Sequence, residues 1–387
     1  EKYNMPILTF VKKLLEKIIG KLDAKMQDRI TMFGTPVDKM DNTTISIEIF
    51  PNRPDLLSFE GFVRSFNAFL GKKNKTNYTT HTSKEKLIIE KVPKEWPYAF
   101  ACIIKGLHFD DKKIKEIIDM QEKLAETFLR KRKKGGIGLY PLDKIKFPVR
   151  FKAMKPEEIK FQPLEFPRII TARQILTQHS TGREYAHICQ DWTTFPVFID
   201  AANTIMSMPP IINSHVVGKI DTTTKNIFLE ATGTDPVALK NVINIMVTSL
   251  IDMGGKIYTI ECVHNGKKIV IPNLSSEKKE FSIEFLNKNL GTSFSEKETK
   301  NLLEKMGIGF DKKKNKTYAI IPPYRTDILH QIDLAEELAV AYGYENFTPL
   351  LPNIATIGKE EQIGILKRKI AEILIGLGLI ETSTYHL

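Results

Sequence analysis

The chain has 387 residues, with 57 Lys and Arg against 46 Asp and Glu, and a formal net charge of +11. This length predicts more than one domain, because a single hydrophobic core seldom serves beyond about 250–300 residues. Hydrophobic residues make up 42% and charged residues 27%, a globular composition that excludes an intrinsically disordered chain. The longest apolar run, 243–253, is too short and too polar for a membrane span, which needs about 20 apolar residues.

The cysteines and the charge indicate the compartment and the class of partner. Cys102, Cys189 and Cys262 lie far apart, which excludes a disulfide framework and a zinc finger. Free cysteines are typical of a reducing cytosol, so a cytoplasmic location is predicted. The basic excess points to a polyanionic partner, although many lysine-rich proteins bind no nucleic acid.

The first block of the chain mixes helix and strand patterns. Apolar spacing predicts a helix over 10–19, and strict alternation predicts a strand over 44–49. A second helix is predicted over 57–70. Because the polar stretch 72–78 has the composition of a linker, we predict an N-terminal α/β domain with its linker over residues 1–86.

The middle block alternates strands and helices, which predicts a mixed α/β domain over residues 87–266. Asp235 is a good helix cap, and Pro236 then fits the first position of a helix. The predicted strands cover 99–106, 147–153, 195–200, 227–231 and 256–263, and the predicted helices cover 114–128 and 236–253.

The third block, 267–350, is predicted to be a small helix-rich module. Ser282 begins a helix that Gly291 ends, and Ser295 with Glu298 forms a capping box for a second helix. A strand over 318–321 and a helix over 333–341 follow. Two short helices followed by β structure resemble a winged or helix-turn-helix module.

The last block, 351–387, is predicted to be the beginning of a further domain. An amphipathic helix is predicted over 363–377 and a strand over 382–385. That strand has no visible partner in the sequence, so we expect the rest of this domain to be absent. The predicted fold class is therefore α+β (mixed α/β) and multidomain.

Four carboxylates near the end of the third block form a candidate metal site. If a helix begins at Asp333, then Glu336 and Glu337 share its face, and Asp327 arrives from the preceding loop. Oxygen ligands of this kind suit Mg²⁺. The alternative is that these acidic side chains only cap the first turn of the helix, and the sequence leaves both interpretations open.

A second candidate site lies in the middle block. Two prolines stiffen the segment 207–213, which places the polar side chains of Ser207 and Asn213 on either side of a turn. Glu230 ends an apolar run next to Thr232 and could face a pocket. The alternatives are a surface turn and a solvated strand end. The glycine run 135–138 matches a phosphate-binding loop only loosely, because no helix pattern follows it.

Four segments of the chain together resemble the β subunit of phenylalanyl-tRNA synthetase, in its archaeal and eukaryotic cytosolic form. They are 50–58, 207–214, 232–235 and 322–344. The resemblance implies a subunit of the ligase that attaches phenylalanine to tRNA(Phe) using ATP. It also implies an α-subunit partner in an α2β2 heterotetramer and no membrane association.

The resemblance implies a division of labour between the subunits. ATP, phenylalanine and Mg²⁺ meet in the α subunit, so this chain alone is not expected to charge tRNA. Residues 351–387 match the start of a class II synthetase-like domain that continues in the family, so the sequence reads as truncated there. A D-x5-D-x2-E-E pattern holds Mg²⁺ in the family, and it falls on Asp327, Asp333, Glu336 and Glu337.

The resemblance also implies that residues 87–266 are an editing domain, which hydrolyses tyrosine wrongly esterified to tRNA(Phe). The matching substrate-binding positions are Ser207, Asn213, Glu230 and Thr232. Glu230 suits recognition of the phenolic hydroxyl, with Thr232 or Ser207 beside it. No general base is assigned.

Two other functions compete with the editing hypothesis. In the first, the chain is a scaffold that binds tRNA and the α subunit without any activity of its own. In the second, the chain binds RNA or DNA in general through its small module and the basic run 130–134.

Overall fold

The computed structural model describes residues 5–72, 77–349 and 358–384. The chain divides into two compact units, Glu1–Glu345 and Asn346–Leu387, which we describe separately. Helices and sheets alternate along both predicted α/β blocks, which confirms the predicted mixed α/β class. No helix in these described ranges is both long and apolar enough to cross a bilayer.

The N-terminal part is a small sheet covered by helices. Its strands pair antiparallel in the order β1-β3-β2. The predicted helix over 10–19 is wrong in its first residues, because Leu8 and Phe10 enter the core as alternate residues of a strand and the helix begins at Lys12. The elements are β1 (Ile7–Val11), α1 (Lys12–Ile19), α2 (Ala24–Met32), β2 (Val37–Met40), β3 (Thr44–Glu48) and α3 (Phe59–Phe69).

The central part is built on a ten-stranded sheet. Its elements are β4 (Thr80–Ile89), β5 (Tyr98–Lys105), α4 (Asp111–Glu126), β6 (Gly135–Pro141), β7 (Val149–Met154), β8 (Lys160–Phe161), β9 (Ile170–Thr171), α5 (Ala172–Gln178), α6 (Ser180–Cys189), β10 (Phe195–Ile199), β11 (Ile205–Met208), β12 (Ile212–Asn213), α7 (His215–Gly218), β13 (Ile227–Gly233), α8 (Pro236–Asp252), β14 (Lys256–His264) and β15 (Lys267–Ile271). The strand order is β12-β11-β10-β7-β4-β14-β5-β13-β6, and β15 pairs with β14.

Strand β4 was missed in the sequence because its partners are remote along the chain. It pairs parallel with β14 and β7, and nothing local to residues 80–89 specifies those pairings. The predicted domain boundary after residue 86 therefore falls inside a strand of the central sheet. Of the predicted linker, residues 73–76 lie outside the described residues.

The central sheet curls until its two end strands meet. Tyr140 lies on β6 at one end, and its hydroxyl is 2.8 Å from the Ser207 hydroxyl on β11 near the other end. The Asn213 amide on β12 donates to the carbonyl of Leu139 on β6 at 3.5 Å. We call this meeting line the seam of the sheet.

Helix α8 covers the face of the sheet that points away from the seam residues. As predicted, Asp235 caps it, and the carboxylate accepts from the amides of Val237 and Ala238 at 3.1 Å. Leu239 on this helix packs so closely on Gly135 that a β-carbon there would lie 2.5 Å away. Because side chains alternate along a strand, Glu230 on β13 points to the opposite face from this contact.

The last part of the first unit is a compact module that we call the small module. Its strands pair antiparallel in the order β16-β18-β17. The predicted caps are confirmed: the Ser282 hydroxyl accepts from the Phe285 amide at 3.1 Å, and Ser295 forms a capping box with Glu298. The elements are β16 (Glu277–Phe281), α9 (Ile283–Leu290), α10 (Glu296–Lys305), β17 (Gly309–Lys313), β18 (Lys316–Ile321) and α11 (Gln331–Tyr342).

In the second unit, helix α12 (Gln362–Gly376) confirms the helix predicted over 363–377. The strand predicted over 382–385 is wrong for residues 382–384, which adopt no regular structure. A strand is defined by hydrogen bonds to a partner, and no described segment pairs with this one. Residue 385 lies outside the described residues.

Helix α3 joins the three parts of the first unit. The guanidinium of Arg64 donates to the Asp252 carboxylate on α8 at 2.6 Å and lies 3.9 Å from the ring centroid of Tyr324 in the small module. The hydroxyls of Ser58 and Ser249 are 3.0 Å apart in the same interface. All three parts therefore pack around one helix.

A buried charge cluster accompanies this junction. Arg53 binds Asp55 through two hydrogen bonds of 2.9 Å, and Arg325 binds Asp327 through bonds of 2.9 and 2.7 Å. Arg325 also contacts Glu337 at 2.8 Å. The charge of Glu337 attracts Arg53, so the segments 50–58 and 322–327 act on each other electrostatically.

Replacement of Arg325 by Met should destabilise the fold strongly. The change leaves two carboxylates buried without their cation, and breaking a buried ion pair from one side costs about 3–5 kcal/mol. The free energy of unfolding in urea measures the effect. Lys316→Met is the control, because it removes an ion pair with Glu280 that is solvent-exposed and should leave the urea midpoint unchanged. Equal midpoints for both variants would show that the cluster contributes no stability.

Candidate functional site

Three of the four predicted editing residues converge on one point at the seam. The hydroxyl oxygen of Tyr140 lies 2.8 Å from the Ser207 hydroxyl, 3.2 Å from the Asn213 amide oxygen and 3.1 Å from Glu230 Oε1. These residues come from β11, β12 and β13, which lie near opposite ends of the sheet. The group that they surround is a phenol supplied by the protein itself.

The Tyr140 phenol has one proton for three oxygen neighbours. It can donate to only one of these oxygens. A second or third hydrogen bond requires the neighbouring group to donate to the phenol oxygen. The Asn213 amide oxygen can only accept, whereas the Ser207 hydroxyl can donate. A full set of bonds therefore requires a proton on Glu230.

Burial of Glu230 favours its protonated form. Glu230 is 2% exposed, and its burial raises the pKa of the carboxyl to about 8. The carboxyl is therefore neutral at pH 7 and can both donate and accept. Contrary to one of the two interpretations of the sequence, Glu230 is no solvated strand end, because β13 continues to Gly233.

Two polar atoms of this strand are left without a partner among the described residues. Glu230 Oε2 and the Thr232 hydroxyl are both buried and make no hydrogen bond. They lie two residues apart on β13 and therefore on the same face of the sheet. An unpaired buried polar atom costs about 1–3 kcal/mol, so these atoms are suited to a ligand that can pair with them.

Small residues on the neighbouring strands make room beside these two side chains. Glu230 stands between Gly138 on β6 and Ala101 on β5, and Thr232 stands between Gly136 and Ala99. A β-carbon on Gly138 would lie 2.3 Å from Glu230 Oε1 and 2.6 Å from the Tyr140 hydroxyl. The glycine run 135–138 is therefore a packing feature of a buried strand and no phosphate-binding loop.

A cavity of about 470 Å³ opens beside these residues. Asn213 and Glu230 line it, whereas Ser207 and Thr232 do not. Its other walls include Gly136, Ile137, Leu139, Leu164, His179, Pro209, Pro210, Ile211 and Lys219. The volume falls in the usual range for small-molecule sites. The prolines of segment 207–213 are buried here, so this segment is no surface turn.

Arg132 fixes the proline segment against the start of β6. Its guanidinium donates to the carbonyls of Pro210 and Ile211 at 3.0 Å each and lies 4.1 Å from the ring centroid of Tyr185. The residues 130–132 all have positive φ, at 52°, 51° and 62°, a conformation that is costly for residues other than glycine. The two hydrogen bonds offset part of that cost, and they hold one wall of the cavity in place.

The sequence did not single out Tyr140, Arg132 or His179 as site residues. Tyr140 follows the glycine run closely, which marks a strand approached by another group, but its partners are 67 to 90 residues away. His179 lines the cavity. Its Nε2 lies 3.1 Å from the Leu164 carbonyl, and its Nδ1 is buried without a partner in the described part of the chain. No local pattern reveals contacts over such separations.

The four candidate metal ligands occupy different environments. Asp327 and Glu337 both contact Arg325, Asp333 accepts from two backbone amides before α11 at 2.7 Å, and Glu336 is exposed. Burial raises the pKa of Glu337 despite Arg325. Burial also acts to raise the pKa of Asp327, but Arg325, Arg53 and a backbone hydrogen bond together outweigh it, so the pKa of Asp327 is lowered. In the ranges that the structure covers, no three His, Cys, Asp or Glu side chains are placed to hold a metal ion. The four carboxylates are therefore no preformed ligand set.

Comparisons with known proteins agree with this architecture. A family model described as the tRNA synthetase B5 domain matches residues 279–344, which form the small module. A crystal structure of an N-terminal fragment of the phenylalanyl-tRNA synthetase β subunit from Pyrococcus horikoshii is 33% identical. It matches with a TM-score of 0.82 and covers 87% of this chain and 99% of that fragment. The fold and its B5 module thus define a subunit of an aminoacyl-tRNA synthetase.

The full-length relatives identify the family. The phenylalanine–tRNA ligase β subunits of Archaeoglobus fulgidus and Pyrococcus horikoshii are 34% and 36% identical to this chain over 385 and 392 residues. Both alignments cover 99% of the chain and 70% of the relative. The chain belongs to the phenylalanine–tRNA ligase β-subunit family, as its motifs predicted.

Replacement of Gly138 by Ala should disrupt the hydroxyl cluster. The added methyl group would force Glu230 or Tyr140 to move, and overpacking of this kind costs about 1–3 kcal/mol. Gly136→Ala is the matched control on the same strand, because its methyl group would meet Pro210 at an ordinary 3.4 Å. Thermal unfolding of both variants measures the difference. A Gly138→Ala variant as stable as Gly136→Ala would contradict the close contact.

Replacement of Glu230 by Gln should change how stability depends on pH. The pKa of Glu230 in the folded chain is about 8, above the ordinary value of 4.5. Protonated Glu230 therefore stabilises the fold fully below pH 4.5, and this stabilisation is lost as the pH rises to 8. The loss is on the order of 1 kcal/mol per pH unit. The free energy of unfolding of Glu230→Gln minus that of the wild type should therefore increase from pH 5 to 8, as measured in urea. Parallel curves would show that Glu230 is ionised in the folded chain.

Proposed function

We propose that this chain acts as the β subunit of phenylalanine–tRNA ligase, together with an α subunit and tRNA(Phe). Its family membership and its B5 module support this role. In the assembly that we propose, an α2β2 heterotetramer, the α subunit uses ATP to attach phenylalanine to tRNA. The net charge of +11 favours a polyanionic partner such as tRNA.

The central part, in our proposal, hydrolyses tyrosine wrongly attached to tRNA(Phe). The observation that supports this most directly is Glu230: it lines the cavity, as Asn213 does, and its Oε2 is buried without a hydrogen bond among the described residues. The contacts around Tyr140 support it further, because Ser207, Asn213 and Glu230 together accommodate a phenolic hydroxyl. Thr232 offers a second unpaired hydroxyl on the same strand face.

The proposed selectivity follows from the single hydroxyl by which tyrosine differs from phenylalanine. A tyrosyl group would give Glu230 Oε2 a hydrogen-bond partner, whereas a phenylalanyl group would leave it buried and unpaired. That penalty of about 1–3 kcal/mol corresponds to a preference of roughly 5-fold to 150-fold. Because the carboxyl is neutral at pH 7, it pairs with the phenol without the cost of burying a charge.

The proposed reaction is an ester hydrolysis. Water adds to the acyl carbon, and the bond between that carbon and the ribose oxygen breaks. The products are free tyrosine and the terminal hydroxyl of the tRNA, and the proton lost by the water is returned to that ribose oxygen. The residues described above bind and select the tyrosyl group, and we assign none of them as the general base.

The Mg²⁺ site stays a prediction in this scheme. Mg²⁺ held by Asp327, Asp333, Glu336 and Glu337 would supply charge neutralisation in the small module. Asp327 and Glu337 share one cationic contact, Arg325, and Glu337 Oε2 is buried without a hydrogen bond among the described residues. No step of the proposed hydrolysis depends on the metal.

The alternative is that the chain only binds tRNA and the α subunit, and Glu230 separates the two possibilities. On the editing proposal, Glu230→Ala lowers kcat/KM for hydrolysis of Tyr-tRNA(Phe) by about 10-fold or more and leaves tRNA binding unchanged. Release of labelled tyrosine measures the rate, with Phe-tRNA(Phe) in parallel. Glu122→Ala, which removes an exposed carboxylate from the same cavity wall, should behave like the wild type. No hydrolysis above the buffer rate by the folded wild-type chain would leave only the scaffold function.

A further inference from the structure

Tyr140 is the residue at the centre of the seam that the proposed function does not use. Its side chain is fully buried on β6, and its ring lies 5.9 Å from that of Phe228, centroid to centroid. Its hydroxyl contacts side chains from three strands. Burying a tyrosine hydroxyl is unfavourable unless the hydroxyl forms hydrogen bonds, and these contacts supply them.

The contact with Glu230 is asymmetric. Tyr140 lies 3.1 Å from Oε1, and in the described parts of the chain it is the hydrogen-bond partner of that carboxyl. Oε2 is buried and has none. A carboxyl group is planar, so a bond that fixes one oxygen also fixes the direction of the other. Tyr140 therefore determines where the unpaired oxygen points.

We propose that Tyr140 is the positioning residue that sets the hydroxyl selectivity of this cavity, because it holds Glu230 Oε1 and leaves Oε2 for the phenol of a bound tyrosyl group. The inference rests on the proposed tyrosyl-ester function and names the residue that makes the selection. Tyr140 does not line the cavity, so it acts on the ligand through the two lining residues that its hydroxyl contacts, Glu230 and Asn213.

Ser207 belongs to the same hydrogen-bonded cluster as Tyr140. Its hydroxyl is 2.8 Å from that of Tyr140, and like Tyr140 it does not line the cavity. Ser207 thus orients the Tyr140 hydroxyl from the far end of the sheet. Its effect on selectivity should pass entirely through Tyr140.

Binding of two non-hydrolysable ligands tests the inference without relying on catalysis. The ligands are 3′-amino-3′-deoxyadenosine carrying tyrosine or phenylalanine through an amide bond, and calorimetry measures their affinity for the 387-residue chain. The wild type should prefer the tyrosyl ligand. Tyr140→Phe keeps the ring and its packing but removes the hydroxyl, so the tyrosyl affinity should fall about tenfold while the phenylalanyl affinity stays the same.

Three further variants separate positioning from a merely structural effect. Tyr185→Phe removes the hydroxyl of another tyrosine near the cavity wall, packed on Arg132, and should keep the wild-type preference. Ser207→Ala should lose part of the preference. The double variant that combines Ser207→Ala with Tyr140→Phe should lose no more of the preference than Tyr140→Phe alone, because the effects of two residues that act through one hydrogen bond are not additive.

The outcomes distinguish this inference from the proposed function. A Tyr140→Phe chain that keeps the wild-type preference, or a wild-type chain with no preference, overturns the role of Tyr140. Loss of tyrosyl and phenylalanyl affinity to the same extent also overturns it, because it shows a general structural effect. A wild-type chain that prefers the tyrosyl ligand through Tyr140 but does not hydrolyse Tyr-tRNA(Phe) supports the inference and refutes the hydrolytic function alone.

Discussion

The two ends of the central sheet meet at the hydrogen bonds that the Tyr140 hydroxyl makes across the seam. A long twisted sheet leaves two unpaired edges, and here the edges are brought together by side chains because the backbones do not pair. Ser207 and Asn213 approach from one end and Glu230 from the other. The cavity opens beside this meeting line, and two of the groups that meet there, Asn213 and Glu230, line it.

That constraint explains the composition of the neighbouring strands. A cluster of hydroxyl and carboxyl groups needs space, and the strands that flank Glu230 supply it with glycine and alanine at Gly138 and Ala101. It also explains the neutral carboxyl. A charged Glu230 at this depth would need a cation, and the nearest partner in the described structure is a phenol. The protein thus recognises a phenolic hydroxyl within its own fold, beside the place where we propose that it recognises one on a ligand.

Local chemistry made several parts of the fold predictable from the sequence. Asp235, Ser282 and Ser295 cap the helices that they were predicted to cap, because a cap is decided within a few residues. Strand β4 and the start of β1 were missed because their pairing depends on remote partners. The candidate site shows the same division. Ser207, Asn213 and Glu230 were singled out from their local sequence and then from a family resemblance, whereas Tyr140 became visible only when the fold brought strands from both ends of the sheet together.

The junction around α3 shows why two of the recognised motifs carry charges. Arg53 and Arg325 each bind an aspartate two residues later, so each arginine is paired within its own segment. Glu337 then contacts Arg325 and attracts Arg53 electrostatically. Since Arg325 already pairs with Asp327 and Glu337, a cation that entered the cluster would have to compete with Arg325 or draw on Asp333 and Glu336 instead. The residues that stabilise the junction are therefore also the ones that restrict how a metal could bind there.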